Sequence, residues 1–123
     1  MLATSAVIGF VPTKDAARAR NFYEGVLGLR FVSDDGFALV MDANGTMIRI
    51  ARAPDFTPFP FTLLGWGVED IEAEAAELAG RGVEFNRYGF LEQDAAGIWA
   101  APGGAKVAWF TDPDGNILSL SQH

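Results

Sequence analysis

Val107–Leu120 reads V-A-W-F-T-D-P-D-G-N-I-L-S-L. Apolar runs flank Asp112-Pro113-Asp114-Gly115-Asn116, where Pro113 presets φ for a turn and Gly115 accepts a positive φ. The pattern is that of a hairpin. A weaker copy lies upstream: Phe37–Met41 runs into Asp42-Ala43-Asn44-Gly45-Thr46 and then Met47–Ile50. The chain is therefore read as one unit used twice.

Working outward, Thr4–Val11 is rich in Val, Ile and Phe and predicts a strand stopped by Pro12. Asp15 is a good N-cap. Ala19, Phe22, Tyr23 and Val26 follow at helical spacing, Arg20 faces Glu24 across one turn, and Gly28 ends the helix. Leu29–Ser33, Gly36–Met41 and Met47–Ala51 then predict three strands separated by turn residues, giving the order βαβββ. Ala53–Pro60 holds three prolines and reads as a semi-rigid linker. Beyond it the order repeats: a strand over Thr62–Val68, a helix capped by Asp70 with the apolar stripe Ile71, Ala75 and Leu78, and strands over Val83–Asn86, Ile98–Ala100, Lys106–Thr111 and Ile117–Ser121. Asp15, Gly28 and Phe31 recur as Asp70, Gly82 and Phe85 at nearly constant offset, and Gly45 and Ile50 as Gly115 and Leu120 at a larger one. The difference is an insertion between Phe85 and Val107, found only in the second unit.

Composition narrows the function. A chain of 123 residues is one ordinary domain in size, and with no cysteine it has neither disulfides nor a thiolate metal site. A formal charge of −7 with nine Lys plus Arg opposes a phosphate-backbone partner, so no nucleic-acid partner is expected. No apolar run approaches the ~20 residues that span a bilayer, and the first ten residues lack a basic start and a cleavage pattern. A cytoplasmic protein without a membrane partner is expected. No Gly-rich phosphate loop precedes a helix, and no Ser-His-Asp set is possible around the one histidine, His123, at the chain end.

The two βαβββ units, together with N-F-Y-E-G-V-L-G-L at 21–29 and W-F-T-D-P-D-G-N at 109–116, resemble the vicinal oxygen chelate superfamily. This group holds glyoxalase I, extradiol dioxygenases, fosfomycin-resistance enzymes and bleomycin-resistance proteins. The resemblance implies an α+β fold in which two βαβββ modules form a curled mixed sheet around a cleft. The 1–123 chain is then a single domain: module one at 1–53, linker 54–60, module two at 61–123. It also implies a homodimer. In metal-dependent members the ligands are His or Glu on the first and last strands of each unit, and by register those places here hold Ile8, Arg49, Leu63 and Ser119. Ile and Leu have no donor, Arg repels a cation and a lone Ser hydroxyl is a poor ligand, so no metal and no cofactor are expected.

Strand alternation places Ala6, Ile8 and Phe10, Met47, Arg49 and Ala51, Leu63, Gly65 and Gly67, and Ile117, Ser119 and Ser121 on the cleft face. Val7, Val11, Ile48, Ile50, Leu64, Trp66, Leu118 and Leu120 face the core. The expected ligand set is Ile8, Phe10, Arg49, Leu63, Tyr88, Gln93, Trp99, Trp109 and Ser119, suited to a hydrophobic or aromatic compound with an acidic or carbonyl group held by Arg49. A plainer reading makes Arg49 an exposed strand residue paired with a surface carboxylate, and Trp99 and Trp109 core or interface residues. The function expected is metal-free sequestration of such a compound. The alternative is a glyoxalase-like lyase or isomerase using Arg49 to polarise an oxyanion and Asp94, Glu92 or Tyr88 to move a proton.

Overall fold

Both units carry the order βαβββ in the computed structural model, which describes all residues from Met1 to His123. The first comprises β1 (Ile8–Thr13), α1 (Ala16–Arg20), β2 (Arg30–Asp34), β3 (Ala38–Ala43) and β4 (Thr46–Arg52). The second comprises β5 (Thr62–Gly67), α2 (Ile71–Gly80), β6 (Trp99–Ala100), β7 (Lys106–Thr111) and β8 (Ile117–Gln122). The chain separates into two compact units, Met1–Thr57 and Pro58–His123.

The strands form two four-stranded sheets, ordered β1-β4-β3-β2 and β5-β8-β7-β6. Each is open and mixed, its first strand parallel to its last and the remaining pairs antiparallel. This corrects the expectation of one curled mixed sheet around a cleft. Ladders stop at the edges of each unit for a local reason: Pro12 in edge strand β1 has no N–H to donate, and edge strand β6 is only two residues long.

In the first unit, Asp15 accepts the Arg18 N–H at 3.1 Å and starts α1. The expected single helix changes character at Asn21–Val26, where a wider turn brings the Leu27 N–H to the Phe22 carbonyl at 2.9 Å. Gly28, at φ 80, then lets the chain leave. The core of this unit is the sheet face carrying Val11, Leu39, Met41, Ile48 and Ile50, with Ala19 and Tyr23 buried beside it. Val7 was expected there, yet it is 74% exposed. The strand begins one residue later, at Ile8, and residues Leu2–Thr4 form a short 3-10 turn. Pro12 lies inside β1 rather than ending it, which an edge position tolerates.

The second unit buries Ile71, Ala75 and Leu78 of α2 and Ala108, Phe110, Leu118 and Leu120 of its sheet. Asp70 caps the helix through the Ala73 N–H at 3.1 Å, and Gln122 Oε1 accepts the Ile71 N–H at 2.9 Å, tying the helix start to β8. Val83–Asn86 was read as a strand and is reduced to one bridge, Phe85 to Phe110, because the insertion takes over the sheet edge. The final turn is held by side chains. Asp112 Oδ1 accepts the Asp114 and Asn116 N–H groups, each at 2.9 Å, and both Asp112 and Asn116 are buried. Asp112 is thus spent on the turn, as the repeat implied.

Candidate functional site

Register decides which side chains share a face. Trp109 pairs with Ser119, Trp99 with Val107 and Gly65 with Ser119, so Trp99, Trp109 and Ser119 stand on the sheet face opposite the buried Ala108, Phe110, Leu118 and Leu120. A register shift between Thr62 and Leu64 leaves Leu63 as the extra residue and aligns Thr62 with Ile117. Ser119 Oγ occupies the space that a Cβ at Gly65 would fill.

On this face the aromatic rings gather. The Trp99 and Trp109 centroids are 6.0 Å apart with planes 31° from parallel, Tyr88 meets Trp109 edge-on at 5.5 Å, and Phe90 lies 5.7 Å from Tyr88. They border a pocket of about 350 Å³ that also touches Phe61, Thr62 and Ile117. Its polar atoms are few: Trp109 Nε1 donates to Thr62 Oγ1 at 3.1 Å, and Asn86 Nδ2 donates to the Tyr88 hydroxyl at 3.3 Å. Phe90 is 83% exposed and Phe61 is also exposed, an apolar display that a water-facing surface does not need.

The insertion that presents Tyr88 is stitched by its own polar residues. Gln93 accepts the Tyr88 N–H at 2.8 Å and donates to the carbonyls of Asn86 and Gly97, so its amide is spent on the loop. Asp94 Oδ1 accepts the Ala96 and Ile98 N–H groups, each at 2.9 Å, and Arg87 donates to the Asp94 and Ala95 carbonyls. Gly97 turns the loop at φ 91, where a Cβ would sit 2.8 Å from Phe85 Cβ. Glu92 and Asp94 are exposed and border a separate hollow with Gln93, Glu72 and Lys106. There Lys106 Nζ pairs with Glu72 at 2.7 Å, a contact that lowers the Glu72 pKa and raises that of Lys106.

In the first unit, Phe10 aligns with Arg49 and Ile8 with Met47, as alternation required. Arg49 is one-quarter exposed and donates to Asp35 Oδ2 at 2.7 Å, the plainer of the two readings given for it. Arg52 grips Asp34 with both terminal nitrogens, at 2.9 and 2.8 Å. Asp34 is held down to about 2 by the Arg52 hydrogen bond and then by the Gly36 N–H; Asp35 is held down to about 2 by Arg49 and then by the Ala38 and Phe37 N–H groups. His123 meets only the Ser121 hydroxyl, at 3.2 Å.

Of the expected ligand residues, Tyr88, Trp99 and Trp109 come together around one pocket, with Ser119 and Leu63 on neighbouring strands. Ile8, Phe10 and Arg49 share a face of the first sheet. Gln93 lies within the insertion. Thr62, Phe61 and Phe90 were not foreseen: the bulge at Leu63 reverses the alternation that would have found Thr62, and Phe61 follows directly on the proline-rich segment. A divalent ion does not fit the residues present, since Ile8, Arg49, Leu63 and Ser119 supply no ligand set and no group of three or more His, Cys, Asp or Glu side chains converges elsewhere. No helix is long and apolar enough to cross a membrane.

Residues 5–120 match the model of the Glyoxalase/Bleomycin resistance protein/Dioxygenase superfamily, and the chain belongs to that family. No curated protein matches the chain in sequence. Among solved structures, a superfamily member from Sphaerobacter thermophilus is similar over 100% of both chains at 22% identity and a TM-score of 0.76. An antibiotic binding protein from Streptomyces sp. CB03234 is similar over 99% of this chain and 98% of its own at 24% identity and 0.73. A lactoylglutathione lyase from Agrobacterium tumefaciens is similar over 97% and 93% at 14% identity and 0.74. At these identities the likeness is one of fold.

Proposed function

We propose that the chain binds a small planar aromatic or hydrophobic compound, without a metal, on the ring surface of its second unit. The observation that carries this is the convergence of Tyr88, Trp99 and Trp109 on one pocket, flanked by the exposed Phe61 and Phe90. Rings that stay half-exposed on a sheet face provide large contact area at low entropic cost to the ligand complex. That an antibiotic binding protein shares the fold is in keeping with this reading. Ser119, paired with Trp109, extends the same surface. For Ile8, Phe10 and Met47 we propose contact with a second copy of the chain, because the three are exposed together on one face of the first sheet. The cysteine-free composition suits a cytoplasmic setting.

A second reading has its own support. A lyase or isomerase needs an ordered proton carrier, and the Tyr88 hydroxyl, which borders the aromatic pocket, is held by the Asn86 amide. Of the three proton carriers considered, Tyr88 borders the aromatic pocket, whereas Asp94 and Glu92 are exposed at the other hollow. Binding is the first step in both readings. Native mass spectrometry of protein purified from its host separates them. A compound retained at its own mass, and lost in W109A, supports sequestration. Conversion of the compound during incubation, abolished by Y88F, supports the enzyme instead.

A further inference from the structure

The aromatic pocket has a hydrogen-bond polarity as well as an apolar floor. An indole N–H donates and has no lone pair to accept with, so the 3.1 Å contact from Trp109 Nε1 fixes the Thr62 oxygen as an acceptor. The threonine's own proton is then left over. Asn86 Nδ2 uses the Tyr88 oxygen in the same way, and the phenol proton is left over too. Neither hydroxyl donates to another protein group, and both border the same pocket.

Charge and ring geometry narrow the ligand further. No Asp, Glu, Lys, Arg or His lines this pocket, and the nearest arginine in the sequence, Arg87, is committed to the carbonyls of Asp94 and Ala95. Trp99 and Trp109 lie side by side at 6.0 Å with planes 31° apart and form the floor, and Tyr88 stands edge-on to Trp109 at 5.5 Å as one wall.

Resting on the binding reading above, we infer that this pocket selects neutral planar aromatic compounds bearing acceptor oxygens, such as aryl ketones, over compounds of the same outline that present an N–H donor. A bound ligand strips water from the Thr62 and Tyr88 hydroxyls. An acceptor oxygen replaces that water, whereas a bare ring, or an N–H that can use only a hydroxyl lone pair, leaves the two hydroxyl protons unsatisfied.

The test uses three tricyclic probes of matched outline: 9-fluorenone, which accepts, fluorene, which does neither, and carbazole, which donates. Each is titrated into the full chain while the tryptophan indole N–H resonances are followed by NMR. 9-Fluorenone is expected to bind at least about tenfold more tightly than carbazole, with fluorene weaker than the ketone. Equal affinities would overturn the polarity and leave the ring surface as a binding site. Failure of all three to shift Trp99 and Trp109 would overturn both. In N86D the carboxylate takes the Tyr88 proton, and in Y88F that proton is absent, so the ketone-to-carbazole ratio falls several-fold in each. An unchanged ratio in either variant that folds would also overturn the assignment.

Discussion

The turn at Asp34–Gly36 and the insertion at Arg87–Ala105 occupy the same place in the two copies of one βαβββ template, and they are filled with opposite chemistry. In the first copy β2 runs five residues and the turn after it is locked by two carboxylates and two arginines. In the second the edge strand is only Trp99–Ala100, and the inserted residues fold around Gln93, Asp94 and Gly97 to display aromatic rings. Ion pairs at a strand end fix a conformation and leave their charges neutralised. Rings on a loop leave an apolar surface open to water. The two copies thus carry different surfaces over sheet cores that are both buried, and the ligand site proposed above falls to the second.

The contrast can be broken first at its glycines. Gly97 and Gly45 share the same φ of 91, but a Cβ at Gly97 meets Phe85 while one at Gly45 meets nothing within 4 Å. G97A is expected to cost about 3 kcal/mol and G45A about 1 kcal/mol in urea unfolding. Equal costs would show that the insertion is not rigidly seated on Phe85. A smaller effect is expected at the first sheet: F10D, by placing a charge on the exposed apolar face, should raise the dissociation constant of the proposed homodimer about thirtyfold in sedimentation equilibrium. An unchanged oligomeric state would assign that face another role.

Acid sharpens the comparison. Asp34 and Asp35 are held at about 2 against an ordinary value of 3.8, so the folded state favours their ionised forms. Their contribution is complete above the unfolded value, near pH 4, and is lost as pH falls toward about 2. The double variant D34N/D35N should therefore show a shallower fall in urea midpoint across that window than the parent, with little difference in slope above it. Parallel slopes would mean that the two arginine pairs do not hold the turn in solution. The smallest expected effect is none at all: saturating zinc, nickel or manganese should leave Tm unchanged, because a site binding any of them would raise it by mass action.

Much of the fold was legible because it is written in local chemistry. Asp15 and Asp70 announce their helices, Gly28 and Gly45 their turns, and Val11, Ile48, Ile50, Leu118 and Leu120 the buried faces, all by rules that act within a few residues. What was missed depends on partners distant in sequence. Whether Val83–Asn86 ladders or only touches Phe110 depends on what the insertion does, and whether Pro12 ends a strand or rides in it depends on β1 being an edge. The single curled sheet was an inference from resemblance, and the two open sheets replace it. In the site, Tyr88, Trp99 and Trp109 stood out as large rings in or beside an unrepeated segment. Thr62 was hidden by a bulge at Leu63, which no alternation pattern reveals. Arg49 was correctly placed on its strand face, but its bond to Asp35 joins residues whose pairing needs the β3–β4 hairpin to be folded first.

The account turns on the aromatic face of the second unit being where a ligand sits. Titrating 9-fluorenone into uniformly nitrogen-15-labelled protein tests this directly, because the chain reports from three indoles. The expected result is saturable movement of the Trp99 and Trp109 indole N–H peaks, with Trp66, on the other face of the same sheet, unmoved. Movement confined to Trp66, or to the backbone amides of Phe10 and Arg49, would contradict it.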